Sequence, residues 1–250
     1  MIYPNTICLT VDVEWAQPAI LADLVKCFDE RGLKATFFVT HADVNVGSHE
    51  YAIHPNFRPL GGTMRRLRQE HGTDWLHWQE QDIYQYVLKF TLEYAPQARG
   101  TRSHGLFYDT NMFRVYGGLG LEYDSNQFLP LVPHLQPFWK EYGILELPIY
   151  YMDHFDICHG LSDYKVSSLK LEQPGLKVFD FHPNIVLMNS PTEAHYETCK
   201  PDHYHDYTWL VENRYQGHGS RSLFLDLLDE IATRNLPTLT LGEINRALRG

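Results

Sequence analysis

Three apolar stretches of the sequence each end in two polar residues that are separated by one residue. These pairs are Asp12 and Glu14 in TVDVEW, Arg102 and His104 in GTRSHG, and Asp180 and His182 in VFDFHP. Alternate side chains of a strand point to the same face, so each pair would present two polar groups to one side. Charged groups at the ends of buried strands are costly unless they are paired or functional. The pattern therefore predicts either buried ion pairs and caps or a cluster of catalytic and metal-binding groups.

The tripeptide His-Pro-Asn occurs twice, beginning at His54 in AIHPNF and at His182 in FDFHPN. A proline disfavours the helical conformation of the residue before it, so His54 is expected to be extended. His49 lies five positions before His54, and side chains at that spacing on a strand point to opposite faces. We therefore expect His54 to be the functional residue of the two and His49 to be structural.

The segments that must position these residues alternate between strands and helices. Two apolar, β-branched runs, at 6–13 and 34–40, enclose an amphipathic segment, and this β-α-β order predicts a parallel sheet. Helical periodicity predicts helices at 80–96 and 220–235. Further strands are expected near 48–54, 98–104, 121–125, 144–152 and 176–182, with a last strand at TLTL (238–241) and a loop over 189–217.

One α/β domain over residues 1–250 accommodates this alternation, either as a barrel-like fold or as a doubly wound sheet. In both architectures, functional sites lie at the carboxyl ends of the parallel strands. The three polar pairs occur at those ends, which favours their assembly into one site.

Composition narrows the classes of function. The formal net charge of −10 argues against a nucleic-acid partner, because such proteins concentrate Lys and Arg. The 4 cysteines are scattered, and the chain has neither a signal-peptide pattern nor an apolar run of about 18 residues. We therefore expect a cytoplasmic protein with reduced thiols and no membrane span.

These residues resemble the motifs of the polysaccharide deacetylases, the NodB-homology family of carbohydrate esterase family 4, including its WbmS-like branch, which is found with bacterial surface-polysaccharide genes. TVDVE is similar to the first motif, and the resemblance implies that Asp12 is the general base and Glu14 a metal ligand. HEYAIHPNFR aligns His54 with the first histidine ligand of the second motif. Arg58 then stands where the family has its second histidine, and an arginine cannot bind a metal.

The remaining motifs imply further roles. Arg102 matches the arginine that orients the base, YDSN at 123–126 resembles the fourth motif, and His182 matches the histidine that protonates the leaving group. We expect Asp180 to orient His182. The resemblance also implies a distorted (β/α) barrel with mostly parallel strands.

His104 is the residue that we expect to replace the missing ligand at position 58. Glu14, His54 and His104 would then provide one oxygen and two nitrogens for a divalent metal, with zinc favoured. The polar segments at 150–160 and 197–207 are interpreted mainly as loops; their candidate side chains are Asp153, His154, Asp156, His159, Cys199, His203 and His205.

The resulting expectation is a metal-dependent hydrolase of an amide bond that deacetylates an N-acetylated sugar or sugar precursor. Two alternatives remain open at this point. The fold could bind a carbohydrate without hydrolysing it, because the metal site departs from the family pattern at Arg58. It could also hydrolyse a small amide that is not a sugar.

Overall fold

The computed structural model describes residues 3–250, and these residues contain one curled sheet of nine strands. The strands are β1 (Asn5–Asp12), β2 (Ala35–Val39), β3 (Glu50–Ile53), β4 (Gly100–Thr101), β5 (Tyr123–Asp124), β6 (Phe138–Trp139), β7 (Leu145–Glu146), β8 (Ile149–Met152) and β9 (Gly175–Phe181). Their order across the sheet is β6-β7-β5-β4-β3-β2-β1-β9-β8. Only β6 and β7 pair in antiparallel fashion within the described chain. The expected distorted barrel with mostly parallel strands is confirmed.

Ten α-helices accompany the sheet within residues 3–250. They are α1 (Pro18–Asp29), α2 (Gly62–His71), α3 (Glu80–Leu92), α4 (Met112–Gly118), α5 (Asp153–His159), α6 (Pro183–Met188), α7 (Glu193–Glu197), α8 (Tyr207–Glu212), α9 (Ser220–Arg234) and α10 (Leu241–Arg249). Helices α1, α6 and α9 bury their apolar faces in one core cluster, and α2, α3 and α4 bury theirs in another. Both clusters lie on the outer face of the sheet, as expected for a (β/α) arrangement.

The inner face changes from apolar to charged along the strands. Cys8 of β1, Phe38 of β2 and Val178 of β9 belong to a third core cluster, and Leu241 of α10 packs into the same cluster. From two residues further along each strand, the inward-facing side chains are polar. On β1, the last of these polar side chains is Asp12. Alternate side chains of each strand point inward, so the inner face has two zones. We call the apolar cluster covered by α10 the floor, and the polar positions at the carboxyl ends of the strands the rim.

Three segments differ from the sequence-based expectation. The region 189–217 contains α7 and α8 rather than only a loop, and 150–160 contains α5, in which Asp153 and Asp156 are buried. The TLTL segment makes an isolated bridge between Thr238 and Ile7 instead of a strand. The helices α5, α7 and α8 are five to seven residues long. Helices this short are stabilised mainly by tertiary packing, which a local pattern does not reveal.

Two further expectations concern membranes and thiols. Within residues 3–250, no helix is long and apolar enough to cross a bilayer. Cys8, Cys27, Cys158 and Cys199 are all free thiols.

Candidate metal and catalytic site

Glu14, His54 and His104 converge at the carboxyl end of the sheet. The Oε1 atom of Glu14 lies 2.9 Å from Nε2 of His54 and 2.7 Å from Nδ1 of His104. The three potential ligand atoms all lie within 4.8 Å of one another. The structure thus brings together the three residues that the sequence indicated as a metal-binding set, although they are separated by as many as 90 residues in the chain.

A local backbone conformation turns Glu14 toward the two imidazoles. Strand β1 ends at Asp12, and Glu14 and Trp15 then adopt positive φ angles of 48° and 57°. Residues other than glycine rarely adopt this left-handed conformation, and such strain is concentrated at functional sites. The backbone N–H of Trp15 donates to Oγ1 of Thr40, which follows β2, at 3.0 Å. The turn is therefore held by the neighbouring strand end.

The two histidines are positioned by hydrogen bonds that continue the sheet beyond its strands. The backbone N–H of His54 donates to the carbonyl of Val39 at 2.8 Å, and that of His104 donates to the carbonyl of Pro55 at 2.9 Å. The His-Pro turn therefore provides one imidazole directly and fixes the backbone of the other. The ring of Trp15 packs edge-on against His104 at a centroid distance of 5.2 Å and limits its rotation.

The electrostatics of this group favour an ionised carboxylate. Burial raises the pKa of Glu14, but the hydrogen bonds and charges of His104 and His54 outweigh it, so the pKa lies well below its ordinary value. For His54, burial lowers the pKa, and the adjacent Asp12 and Glu14 carboxylates raise it above its ordinary value overall. Glu14 is thus ionised over the whole neutral range, as a metal ligand must be.

The donor set fits a divalent metal. One carboxylate oxygen and two imidazole nitrogens lie within 4.8 Å of one another, and this composition is typical of catalytic zinc sites that keep one position open. Arg58 does not belong to the set, since a guanidinium carries no free lone pair for a metal. His104 lies beside Glu14 and His54, and its role as the third ligand stays a prediction.

Asp12, Arg102 and Asp180 form a buried charge network beside this set. The Nη1 atom of Arg102 lies 3.0 Å from Oδ1 of Asp12 and 2.6 Å from Oδ1 of Asp180. Asp12 also lies 3.7 Å, through Oδ2, from Nε2 of His54. One cation therefore faces two carboxylates, and one of these carboxylates connects the network to the metal-binding group.

The guanidinium of Arg102 is fully buried and almost completely hydrogen-bonded. Its Nε donates to the carbonyl of Ser125 at 2.9 Å, and its Nη2 donates to Oγ of Ser125 at 2.8 Å. The plane of the guanidinium stacks on the Phe38 ring at 4.2 Å. These contacts hold Arg102 in one orientation, so it can position Asp12 as the resemblance implied.

His182 faces the network and is held by a different carboxylate from the one expected. Its Nδ1 lies 2.6 Å from Oδ1 of Asp153, and its backbone N–H donates to Oδ2 of the same residue at 2.8 Å. We expected Asp180 to orient His182. That expectation is wrong, because the Oδ1 atom of Asp180 is turned toward Arg102 and Asp153 reaches the imidazole from the start of α5.

The same carboxylate determines the charge of His182. Burial lowers the pKa of the imidazole, but the charge and hydrogen bond of Asp153 outweigh it and raise the pKa to about 10. His182 is therefore protonated at neutral pH and able to donate a proton from Nε2. Burial also raises the pKa of Asp180, whereas Arg102 opposes that rise.

A cleft of about 180 Å³ connects the two halves of the site. Asp12, Glu14, His104 and His182 all line it. Its other lining residues are Arg58, Gly105, Leu106, Met152, His154, Tyr196 and Lys200. The proposed base, two of the three proposed metal ligands and the proposed acid thus share one solvent-accessible space, and His54 is buried behind it.

Sequence reasoning missed the role of Asp153, although a signal was present. Asp153 directly follows the apolar strand β8, so it obeys the same strand-end rule as Asp12. Tyr204 was also missed, and its hydroxyl donates to the carbonyl of Glu14 at 2.9 Å. His154 lines the cleft, whereas the ring of His203 stacks on Trp209 and His205 is exposed.

Comparisons with known proteins identify the family of the chain. The family model for WbmS-like polysaccharide deacetylases matches residues 9–200, well over half of the chain. A crystal structure from Bordetella bronchiseptica, of a candidate polysaccharide deacetylase (WbmS) involved in O-antigen biosynthesis, is similar with 28% identity and a TM-score of 0.73. The match covers 91% of each chain. A search of curated proteins found no match.

More distant structures share the fold alone. The Bc1960 peptidoglycan N-acetylglucosamine deacetylase is similar with 13% identity and a TM-score of 0.50, over 97% of this chain and 90% of that one. A mutant of BA3943, a pseudoenzyme of carbohydrate esterase family 4, is similar with 12% identity and a TM-score of 0.51, over 97% and 67%. Because the family model covers the strands that carry the metal-binding set, the charge network and His182, the chain belongs to the WbmS-like polysaccharide deacetylase family.

Proposed function

We propose that the protein is a metal-dependent hydrolase that removes the acetyl group from an N-acetylated sugar or sugar precursor, acting as one domain over residues 1–250. The observation that carries this proposal is that a buried aspartate, a protonated histidine and the Glu14 and His104 members of the candidate metal-binding set line one cleft. Amide hydrolysis requires these three functions, namely activation of water, stabilisation of the oxyanion and protonation of the leaving nitrogen.

Glu14, His54 and His104 would hold the metal, and zinc is the favoured ion for this donor set. When bound, a divalent ion supplies Lewis acidity and lowers the pKa of water toward neutrality. The proton transfers of the reaction depend on residues of the chain. Asp12 accepts the proton of the attacking water, and Arg102 keeps the Asp12 carboxylate oriented through the 3.0 Å contact.

His182 has the opposite task. Its Nδ1 faces Asp153, which leaves Nε2 to face the cleft and to protonate the departing amine. Because the pKa of His182 is about 10, the imidazole carries its proton at neutral pH before the reaction begins. Asp153 then stabilises the imidazole and fixes which nitrogen reacts.

Two further parts of the proposal concern the setting of the reaction. Four free cysteines support a reducing compartment, so we propose the cytoplasm. A sugar precursor available there, such as a nucleotide-linked or lipid-linked sugar, would then be the substrate. A small amide that is not a sugar remains the second candidate, because the cleft of about 180 Å³ is compatible with either.

The test combines metal analysis with detection of acetate. Protein purified without chelator is expected to contain about one equivalent of divalent metal and to release acetate from N-acetylated sugars. Asp12→Asn is expected to retain the metal and to lose a factor of roughly 10²–10⁴ in kcat, since it lacks the general base. Wild-type protein that neither binds metal nor melts at a higher temperature on addition of zinc would refute the mechanism and leave a non-catalytic carbohydrate-binding protein.

Asp153→Asn is expected to shift the alkaline limb of the pH profile to lower pH. In the wild type, His182 is charged below its pKa of about 10, so kcat/KM falls as the pH rises through that value. Without the Asp153 charge, the fall should occur closer to the ordinary histidine pKa of about 6.5. The measurement is kcat/KM between pH 6 and 10.5, together with an NMR titration of the His182 ring.

The matched control is Asp156→Asn on the same helix. Asp156 is also buried, but it accepts hydrogen bonds from Tyr151 and from the backbone of Ser162 and does not contact His182. This variant is expected to lose stability while the alkaline limb stays in place. An Asp153→Asn profile that coincides with the wild-type profile would contradict the role of Asp153.

A further inference from the structure

We propose that the cleft recognises a substrate bearing an oxyanion, a carboxylate or a phosphate, through the guanidinium of Arg58, with Lys200 as a second cation. The inference rests on the proposed function, which identifies the ligand as an N-acetylated sugar. The inference specifies that this sugar is negatively charged. It also gives a role to Arg58, the residue that departs from the family pattern.

Arg58 follows the turn after His54, is exposed and lines the cleft. The backbone N–H of Arg58 donates to Oδ1 of Asn56 at 2.9 Å, and its carbonyl accepts from the N–H of Gly61 at 2.8 Å. The side chain passes over Gly105, the residue that follows the ligand His104. A methyl group at Gly105 would lie 3.3 Å from Nη2 of Arg58. Gly105 has a φ of 67° and leaves room for the guanidinium beside the metal-binding set.

The guanidinium of Arg58 has no partner among residues 3–250, whereas its neighbours in sequence do. Arg65 and Arg68 donate to the carbonyls of Leu60 and Pro59, and Arg66 pairs with Glu70. Arg58 makes neither a side-chain hydrogen bond nor an ion pair in the described chain. Five N–H donors are therefore free at the edge of the cleft, in the fork geometry that binds carboxylates and phosphates through two parallel bonds.

Lys200 places a second positive charge on the lining of the same cleft. Its ammonium lies 4.3 Å from the centroid of the Tyr196 ring and 3.0 Å from Oε1 of Glu197. Both groups of this ion pair are well exposed, and exposed pairs contribute little free energy. Lys200 can therefore exchange Glu197 for an anionic ligand at low cost.

The size of the cleft limits where the anion can be on the substrate. Its volume of about 180 Å³ is below the roughly 300–1,000 Å³ of pockets for drug-sized ligands. The space thus suits about one sugar ring. Arg58 lies beside Gly105, the residue that follows the proposed ligand His104. The anion must be on the ring that carries the acetamido group or directly attached to it. A carboxylate on the ring and a phosphate at the anomeric carbon both satisfy this condition.

Ligand binding tests the inference without requiring turnover. Isothermal calorimetry would compare neutral N-acetylglucosamine with its uronic acid and its 1-phosphate, for the wild type and for Arg58→Gln. Removing a charge-assisted hydrogen bond typically weakens binding roughly 10- to 100-fold. We expect at least one anionic sugar to bind the wild type at least about tenfold more tightly than the neutral sugar, and Arg58→Gln to reduce that ratio to about twofold or less.

Two matched variants separate the cleft from general surface charge. Arg114 lies on α4, is exposed and makes no side-chain hydrogen bond to another described residue, so Arg114→Gln removes the same charge elsewhere. Lys89 on α3 is the corresponding control for Lys200→Gln. Both controls are expected to keep the wild-type preference, whereas Lys200→Gln should reduce it by a smaller factor than Arg58→Gln.

The outcomes distinguish this inference from the proposed function. Equal binding of neutral and anionic sugars to the wild type, or an undiminished preference in Arg58→Gln, would overturn the anion site. Preferential binding of the uronic acid identifies the anion as a carboxylate, and preferential binding of the 1-phosphate identifies it as a phosphate. Anion-selective binding without release of acetate would support the anion site and refute the deacetylase. Release of acetate from all three sugars at equal rates and with equal affinities would support the deacetylase and refute the anion site.

Discussion

Replacement of His104 by alanine is expected to remove the bound metal and, with it, the activity. The variant leaves Glu14 with His54 alone, because the 2.7 Å contact from Nδ1 of His104 is lost. Changes in groups that only support metal ligands typically cost 10–100-fold in affinity, so loss of a ligand itself should cost at least about 100-fold. Metal content after dialysis, determined by mass spectrometry, and competition with a chelator would measure this effect.

His77→Ala is the control for this experiment, because His77 is an exposed histidine in the 3₁₀ turn before α3. It should keep the wild-type metal content and affinity. The melting temperature of each variant shows whether the fold is retained. A His104→Ala protein that still binds one equivalent of metal with wild-type affinity would refute the assignment of His104 as the third ligand, and it would do so whether or not the protein is active.

Replacement of Arg102 by methionine is expected to destabilise the protein by about 3–5 kcal/mol, the usual result of removing one partner from a buried ion pair. Arg102 has no exposed surface, and its loss leaves Asp12 and Asp180 as neighbouring carboxylates without their shared cation. The free energy of unfolding from urea titration measures the effect. Activity should also fall, since Asp12 loses the group that orients it.

A double variant shows whether Asp180 acts as a counter-ion of Arg102. In Arg102→Met with Asp180→Asn, one of the two unpaired carboxylates is replaced by a neutral group, so part of the lost stability should return. Arg102→Lys keeps the charge but loses the bonds from Nε and Nη2 to Ser125, and an intermediate stability is expected. If the double variant is as unstable as Arg102→Met alone, Asp180 is not the counter-ion of Arg102 that the contacts indicate.

Both predictions arise from the same arrangement of charges inside the barrel. The apolar floor excludes water, which strengthens the interaction of Arg102 with Asp12 and Asp180 and makes an unpaired charge costly. At the rim, Glu14 and His182 are each 13% exposed in their side chains, enough to meet a substrate. The buried network thus provides rigidity, and the partly exposed groups beside it are the ones available for chemistry.

Periodicity and local chemistry allowed much of this arrangement to be predicted. The alternation of β1 and β9 placed Asp12 and Asp180 on the inward face, and the apolar runs located β1, β2, β3 and β9 to within one or two residues. The residue before Pro55 was predicted to be extended at the end of a strand, and His54 does lie directly after β3. These features depend only on neighbours in the chain, so one sequence contained them.

Contacts between distant segments were decided by the tertiary structure. His182 is oriented by Asp153, 29 residues away, rather than by Asp180 on its own strand, because the start of α5 packs beside the end of β9. Helices α7 and α8 likewise form in a polar segment that showed no helical periodicity, because Tyr196 and Leu210 are buried against the rest of the fold.

The sequence by itself determined which residue types stand at the carboxyl ends of the strands, and therefore what chemistry the rim can contain. Only the tertiary structure decided how those residues are paired. His104 reaches Glu14 because the hydrogen bond from its backbone to Pro55 and the positive φ of Glu14 bring two loops together across the sheet. Arg58 lies beside Gly105 on the lining of the cleft for the same kind of reason. Side-chain partners are set by the curvature of the sheet and by packing between segments, and neither is encoded within any single segment of the chain.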